Sequence, residues 1–141
     1  MKIRKANKSD SSDISKLMAQ LGYPVTPEII DSKLVEFEAT PIDTVFLAEL
    51  DGRVVGSISC HITSLLHQEG SSGRITSLVI DKECRKMGIG KLLVQEAEDF
   101  FIKSGCVKSE VTSGDHRSEA HLFYESCGYE LDERRYLKKY S

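Results

Sequence analysis

The 141-residue chain contains no tryptophan, and its aromatic content amounts to five phenylalanines and five tyrosines. That leaves little material for the aromatic platforms on which nucleic-acid binders stack bases. An excess of positive charge is missing as well. Nineteen Lys+Arg face 22 Asp+Glu for a formal charge of −3, so no global basic field draws the chain to nucleic acid. No apolar run approaches the roughly 20 residues that cross a bilayer. The opening MKIRKANKSD has no apolar stretch behind its charges and does not read as a secretory signal. The expectation is a cytoplasmic protein with neither nucleic acid nor membrane as partner. Four cysteines, Cys60, Cys84, Cys106 and Cys127, stand singly without a C-x-x-C pair. No metal site is expected, and the thiols read as small hydrophobes rather than a disulfide framework.

What is present is a 40% hydrophobic, 29% charged chain of ordinary domain length, enough to bury a core of its own. One domain spanning 1–141 is expected. Lys2 to Lys5 alternates as a short strand, and Asn7 to Asp13 is rich in helix-capping side chains. Ile14, Leu17, Met18 and Leu21 then recur at helical spacing until Gly22. Thr26 and Pro27 open a second helix reaching about Ala39.

From Thr44 to Ala48, and again from Arg53 to Thr63, the pattern is that of strands, joined by Asp51-Gly52 as a hairpin turn. Ser64 to Ser72 reads as a loop, Arg74 to Asp81 as a strand, and Gly88 to Ser104 as an amphipathic helix. A strand over Val107 to Ser113, a short helix over Ser118 to Ser126 and one or two strands over Tyr129 to Tyr140 complete the chain. This is an α/β arrangement in which antiparallel pairs and a crossover helix share one sheet.

The most informative stretch is ITSLVIDKECRKMGIGKLL, residues 75 to 93: a buried strand, a basic turn, and two glycines at the first turn of a long helix. Free N–H groups and partial positive charge at a helix N-terminus favour phosphate, and Gly88 and Gly90 lack the Cβ that would keep it away. Lys82, Arg85, Lys86 and Lys91 make the turn locally positive against Asp81 and Glu83. A dinucleotide fingerprint would need a third glycine where Leu93 stands. A P-loop would need Ser or Thr where Leu92 stands.

Here the chain resembles the GCN5-related N-acetyltransferase (GNAT) family. The family's pyrophosphate motif, Gln/Arg-x-x-Gly-x-Gly/Ala, is matched by Arg85-Lys86-Met87-Gly88-Ile89-Gly90. Its Ala-x-x-Phe-Tyr-x-x-x-Gly-Phe/Tyr motif is matched by Ala120-His121-Leu122-Phe123-Tyr124-Glu125-Ser126-Cys127-Gly128-Tyr129. The resemblance implies a mixed central sheet of six to seven strands flanked by about four helices, and acetyl-CoA as co-substrate. It further implies that the amides from Lys86 to Lys91 cradle the pyrophosphate, beside Arg85. Leu78, Val79 and Ile80 would pair their backbone with the pantetheine arm, and Tyr124 would protonate the leaving thiolate. Arg117 falls at a cofactor contact where the family commonly has Asn.

The implied reaction is direct attack of an amine on the thioester, through a tetrahedral intermediate. Many members of the family carry a Glu on the fourth strand as base. This chain has Thr76 and Ser77 there, which cannot accept a proton at neutral pH. His61 on the third strand is the first candidate in its place, with His67, Glu69 and Glu49 as others.

A weaker resemblance, over Val54 to His61, Leu66-His67 and Glu119 to Tyr129, is to the aminoalkylphosphonate N-acetyltransferases. It implies His61, His67 and Arg117 around an anionic group of a small-molecule amine. An amino sugar or aminoglycoside acceptor, and a non-catalytic acyl-CoA-binding module, remain open alternatives. Dimers are common in proteins resembling this one, so a homodimer is a further expectation.

Overall fold

The computed structural model describes residues 1–112, 118–132 and 135–141, with the side chain of Ser118 excepted. The elements run β1 (Lys2–Lys5), α1 (Ser11–Leu21), α2 (Pro27–Glu38), β2 (Asp43–Leu50), β3 (Arg53–Ser64), β4 (Ser71–Ile80), α3 (Ile89–Lys103), β5 (Cys106–Val111) and α4 (Ser118–Ser126). One sheet has the order β1-β2-β3-β4-β5. Its first four strands are antiparallel, and β5 joins β4 in parallel after the α3 crossover. Among the described residues no helix is long and apolar enough to cross a membrane.

Local chemistry sets most boundaries. Gly22, at φ +96°, ends α1 in the left-handed region, and the Thr26 side chain accepts from the Ile29 N–H with Pro27 at the first helical position. Asp51 and Gly52 have φ of +52° and +76°, the pair of positive angles that a two-residue type I′ hairpin needs.

Both faces of the sheet are covered. Val45, Leu47, Val54 and Val79 pack under Ile14 and Leu17 of α1 and Leu34 of α2. Phe46, Ala48, Ile58, Cys60 and Ile75 pack under Ile89, Leu93, Val94, Ala97 and Phe101 of α3. The near-continuous apolar reading of β2 follows directly, since alternate residues enter different cores. Burial pushes the Cys60 thiol up to about 12, so it acts as a hydrophobe.

Two register shifts break the β2–β3–β4 ladder, one at Ala48/Glu49 and one at Ser59/Cys60. In the second, Ser59 pairs with Ser77 and Cys60 with Ile75, so Thr76 is an extra residue on β4. Such a bulge re-aims side chains. Here it turns both Thr76 and Ser77 toward the α1/α2 side, where each meets the Ser59 hydroxyl.

The structure corrects three expectations. Among the described residues the sheet has five strands rather than six to seven, and four α-helices flank it as expected. The described parts of the tail, 129–132 and 135–141, form no strand. Leu131, Tyr136, Leu137 and Tyr140 are exposed, and the adjacent pairs Arg134-Arg135 and Lys138-Lys139 would place a cation on either face of any strand, leaving no apolar side to bury. Finally, β4 begins at Ser71 rather than Arg74. Its small residues are not loop filler: a Cβ at Gly73 would lie 2.4 Å from the Phe101 ring, so only glycine lets α3 press this closely on the strand.

Candidate active site

The pairing of β4 with β5 ends at Ile75–Val111, extended by the Thr112 N–H donating to the Ile75 carbonyl at 3.3 Å. Beyond it, β4 is paired with β3 alone among the described residues, through Ile80–Gly56. The edge of Leu78, Val79 and Ile80 that faces away from β3 is therefore open. Their side chains are committed to the cores: Val79 to the α1/α2 side, Leu78 and Ile80 to the α3 side. This edge presents backbone, with the Ile80 carbonyl accepting from Arg85 Nε.

At the end of β4 the Asp81 carboxylate accepts from the Glu83 N–H at 3.0 Å and starts the basic turn. Lys86 and Gly88 take φ of +65° and +82°, folding the turn back onto the N-terminus of α3, whose first-turn amides have no acceptors within the helix. A Cβ at Gly88 would meet nothing within 4 Å, so the space beside that residue of the turn is open. Lys86, Met87 and Lys91 are exposed. Ile89 is buried in the core and offers only its backbone. Arg85 donates from Nε to the Ile80 carbonyl at 3.3 Å, bracing the turn against the strand. Arg117 lies outside the described residues.

Tyr124 sits on α4, half-buried, with its ring edge-on to Phe123 at 5.3 Å and to Tyr129 at 6.3 Å. Phe123, Cys127 and Tyr129 pack on the α3-side core. The Tyr129 hydroxyl donates to Glu98 of α3 at 2.9 Å and to Ser109 of β5 at 3.2 Å, alternative partners for its one proton. Burial pushes the Tyr129 phenol up to about 12, with the Ser109 hydroxyl acting against it and the Glu98 carboxylate acting with it.

On the other face of the sheet, a pocket of ≈ 160 Å³ opens between β3, β4 and the two N-terminal helices. Apolar walls come from Ile14, Met18, Leu34 and Phe37, and Lys33 stands among them. The floor is formed by Ser57, Ser59 and His61, alternating along β3, with Thr76 and Ser77 beside them on β4, and the surface presented to the space is almost wholly apolar. His61 is held from three sides. Its Nδ1 lies 2.8 Å from Asp43 Oδ1, its Nε2 lies 2.8 Å from Thr76 Oγ1, and Phe37 meets the ring edge-on at 5.4 Å. Thr76 Oγ1 is 2.9 Å from Ser59 Oγ, which also bonds the Ser77 hydroxyl. Ser57 is fully buried, and its Oγ has no hydrogen-bond partner among the described residues.

Of the candidate bases, the structure brings His61 into this pocket and leaves the others outside its lining. Glu49 accepts from Arg4 Nε at 2.7 Å. His67 and Glu69 lie in the turn between β3 and β4. Sequence reasoning missed Asp43, Ser57 and Ser59. Their signal was the polar alternation Ser57-x-Ser59-x-His61 inside a strand whose intervening residues Ile58, Cys60 and Ile62 are buried.

The model of the acetyltransferase (GNAT) family matches residues 15–129. The chain belongs to that family. It is 35% identical over 92 residues to an aminoalkylphosphonate N-acetyltransferase of Salmonella typhimurium, a match covering 65% of this chain and 60% of that protein's length. It is 30% identical over 134 residues to a glucosamine 6-phosphate N-acetyltransferase of Trypanosoma brucei brucei, covering 89% and 88% of the two chains. The structure of glucosamine-6-phosphate N-acetyltransferase from Arabidopsis thaliana superposes with a TM-score of 0.84 at 27% identity, over 99% and 98% of the two chains. In this GNAT protein the glycine turn, the open edge of β4 and the pocket all adjoin the second half of one strand.

Proposed function

We propose that the chain is an N-acetyltransferase, one catalytic unit over residues 1–141, that moves the acetyl group of acetyl-CoA to the primary amine of a small molecule. The observation that carries this reading is the placement of a small hydroxyl- and histidine-floored pocket against the same strand whose open edge runs into the glycine turn. The turn suits a pyrophosphate: the left-handed Lys86 and Gly88 and the space beside Gly88 leave the amides from Lys86 to Lys91 approachable, in a basic surrounding. Leu78, Val79 and Ile80 offer their backbone to a pantetheine arm. Acetyl-CoA supplies the thioester whose carbonyl the amine attacks.

The chain's own groups orient the acceptor and handle protons. Tyr124, next to the Phe123 that rests on the glycine turn, donates to the departing sulfur. His61 takes the proton of the amine. Orientation of this kind and general acid–base help each lower the barrier substantially.

The acceptor is small. A volume of ≈ 160 Å³ is below the roughly 300–1,000 Å³ of sites for drug-sized ligands. We further propose that it carries an anionic phosphorus group, as the acceptors named for the Salmonella and Trypanosoma relatives do. Lys33 lines the pocket, and Arg74 is the cross-strand neighbour of His61. The test is thiol release from acetyl-CoA against no-amine blanks. Turnover of 2-aminoethylphosphonate or glucosamine 6-phosphate at higher kcat/KM than ethanolamine or glucosamine supports the anionic acceptor, and equal values overturn it.

A further inference from the structure

Resting on the acetyltransferase reading, we propose that the bound acceptor loses its ammonium proton through a one-way hydroxyl relay running from Ser77 through Ser59 and Thr76 to His61. Asp43 is the positioning residue that fixes the direction of that relay.

The direction follows from one end. A carboxylate has only acceptor sites, so the 2.8 Å contact between Asp43 Oδ1 and His61 Nδ1 requires a proton on Nδ1. In the neutral ring the lone pair is then on Nε2, and Thr76, 2.8 Å away, must donate to it. Having given its proton to His61, Thr76 accepts from Ser59 at 2.9 Å. Ser59 in turn accepts from Ser77. Each hydroxyl donates toward the imidazole, and the last, Ser77, is left with an acceptor lone pair for a ligand N–H at the pocket floor.

Three features of the fold build the relay. Asp43 and His61 are direct cross-strand partners in the β2–β3 register. The extra residue at Thr76 places two consecutive β4 hydroxyls on the pocket face, where an unbroken strand would place one. Ser57, two residues before Ser59 on the same face, is a fully buried hydroxyl without a partner among the described residues. A buried unpaired hydroxyl is costly, so this stretch of β3 carries a local cost on the face that holds the relay.

The proton balance is closed. One N–H bond of the ammonium breaks and its proton passes to Ser77 Oγ. The protons of Ser77, Ser59 and Thr76 each move one oxygen or nitrogen onward, and a new N–H bond forms at His61 Nε2. The three hydroxyls end as they began, the amine is left neutral and nucleophilic, and the imidazolium stands beside the Asp43 carboxylate until solvent takes its proton. Thr76 and Ser77, whose hydroxyls cannot keep an added proton at neutral pH, therefore serve as conductors rather than as a base. The charged groups around His61 are Asp43 from β2, Arg74 from β4 and Lys33 from α2.

The test has a readout independent of turnover. ¹⁵N NMR of the whole protein at a pH where the imidazoles are neutral, with the His61 signal assigned by its absence in His61→Gln, should show the Nδ1–H tautomer. Asp43→Asn should convert it wholly or partly to Nε2–H. An Nε2–H tautomer in the wild type overturns the relay whatever the activity. In kinetics with 2-aminoethylphosphonate, His61→Gln and Ser77→Ala should lower kcat/KM about 10²-fold near neutral pH. The deficit should shrink as rising pH supplies the free amine, and Asp43→Glu should recover part of what Asp43→Asn loses. A deficit that stays constant with pH overturns the relay. A wild type that turns over no amine overturns the acetyltransferase reading, while the tautomer result stands by itself.

Discussion

The ring of Phe123 rests on Gly90: a Cβ placed on that glycine would meet Phe123 Cζ at 3.0 Å. Two sequence motifs more than thirty positions apart are thereby in contact, and Tyr124, the next residue, is held beside the turn that opens α3. Gly90→Val should force the ring and α4 away, at a cost of about 1–3 kcal/mol for overpacking. Urea unfolding should show that loss, and adding Phe123→Ala should return part of it. A Gly90→Val protein as stable as the wild type would contradict the contact.

Gly88 separates backbone strain from packing. Its φ of +82° disfavours any side chain, yet nothing lies within 4 Å of the Cβ position. Gly88→Ala should cost about 1–2 kcal/mol from the left-handed conformation alone. It should also weaken acetyl-CoA binding measured calorimetrically, because the methyl enters the open space beside the turn. Unchanged affinity would show that the turn is not the pyrophosphate cradle.

Much of this site was legible in the sequence because it is local. Gly88, Gly90, the cations around them and the helix that follows lie within a dozen residues, and their chemistry needs no distant partner. The Gly22 stop of α1, the Thr26 cap of α2 and the Asp51-Gly52 hairpin were readable for the same reason. What was missed depends on register. Asp43 and His61 are 18 residues apart in sequence and meet because β2 and β3 pair at those positions. Thr76 and Ser77 looked like the absence of a base, since nothing in the sequence marks the bulge that turns both hydroxyls to one face. The start of β4 was missed because Gly73 reads as a turn residue until Phe101 is seen above it. The described parts of the tail form no strand, for lack of an apolar face.

Asp10 anchors the other end of the sheet. Arg4 donates to both its oxygens at 2.8 Å, and these bonds, aided by the Asn7 N–H and opposed by burial, hold the carboxyl below the usual range. Stabilisation from a depressed carboxyl is present above the unfolded-state value of about 3.9 and is lost as pH falls through the lower folded value. Asp10→Asn should therefore cost about 1.5–3 kcal/mol near neutral pH. Its difference from the wild type should narrow in acid, as denaturation at a series of pH values would show.

Tyr129 gives the opposite sign. Its folded value near 12 lies above the ordinary 10, so its stabilisation is complete below pH 10 and is lost as pH rises toward 12. Tyr129→Phe should destabilise by about 1 kcal/mol at moderate pH. The gap should close in strong alkali, and spectrophotometric titration should find one late-ionising tyrosine missing in the variant.

The most direct test of the central claim is thiol release from acetyl-CoA across small amines, run on the wild type and on Tyr124→Phe with acetyl-CoA affinity measured for both. The wild type should show amine-dependent turnover. Tyr124→Phe should lose about 10²-fold in kcat at unchanged acetyl-CoA affinity. A wild type that binds acetyl-CoA but releases no thiol with any amine, or a Tyr124→Phe protein altered in affinity alone, would contradict that claim.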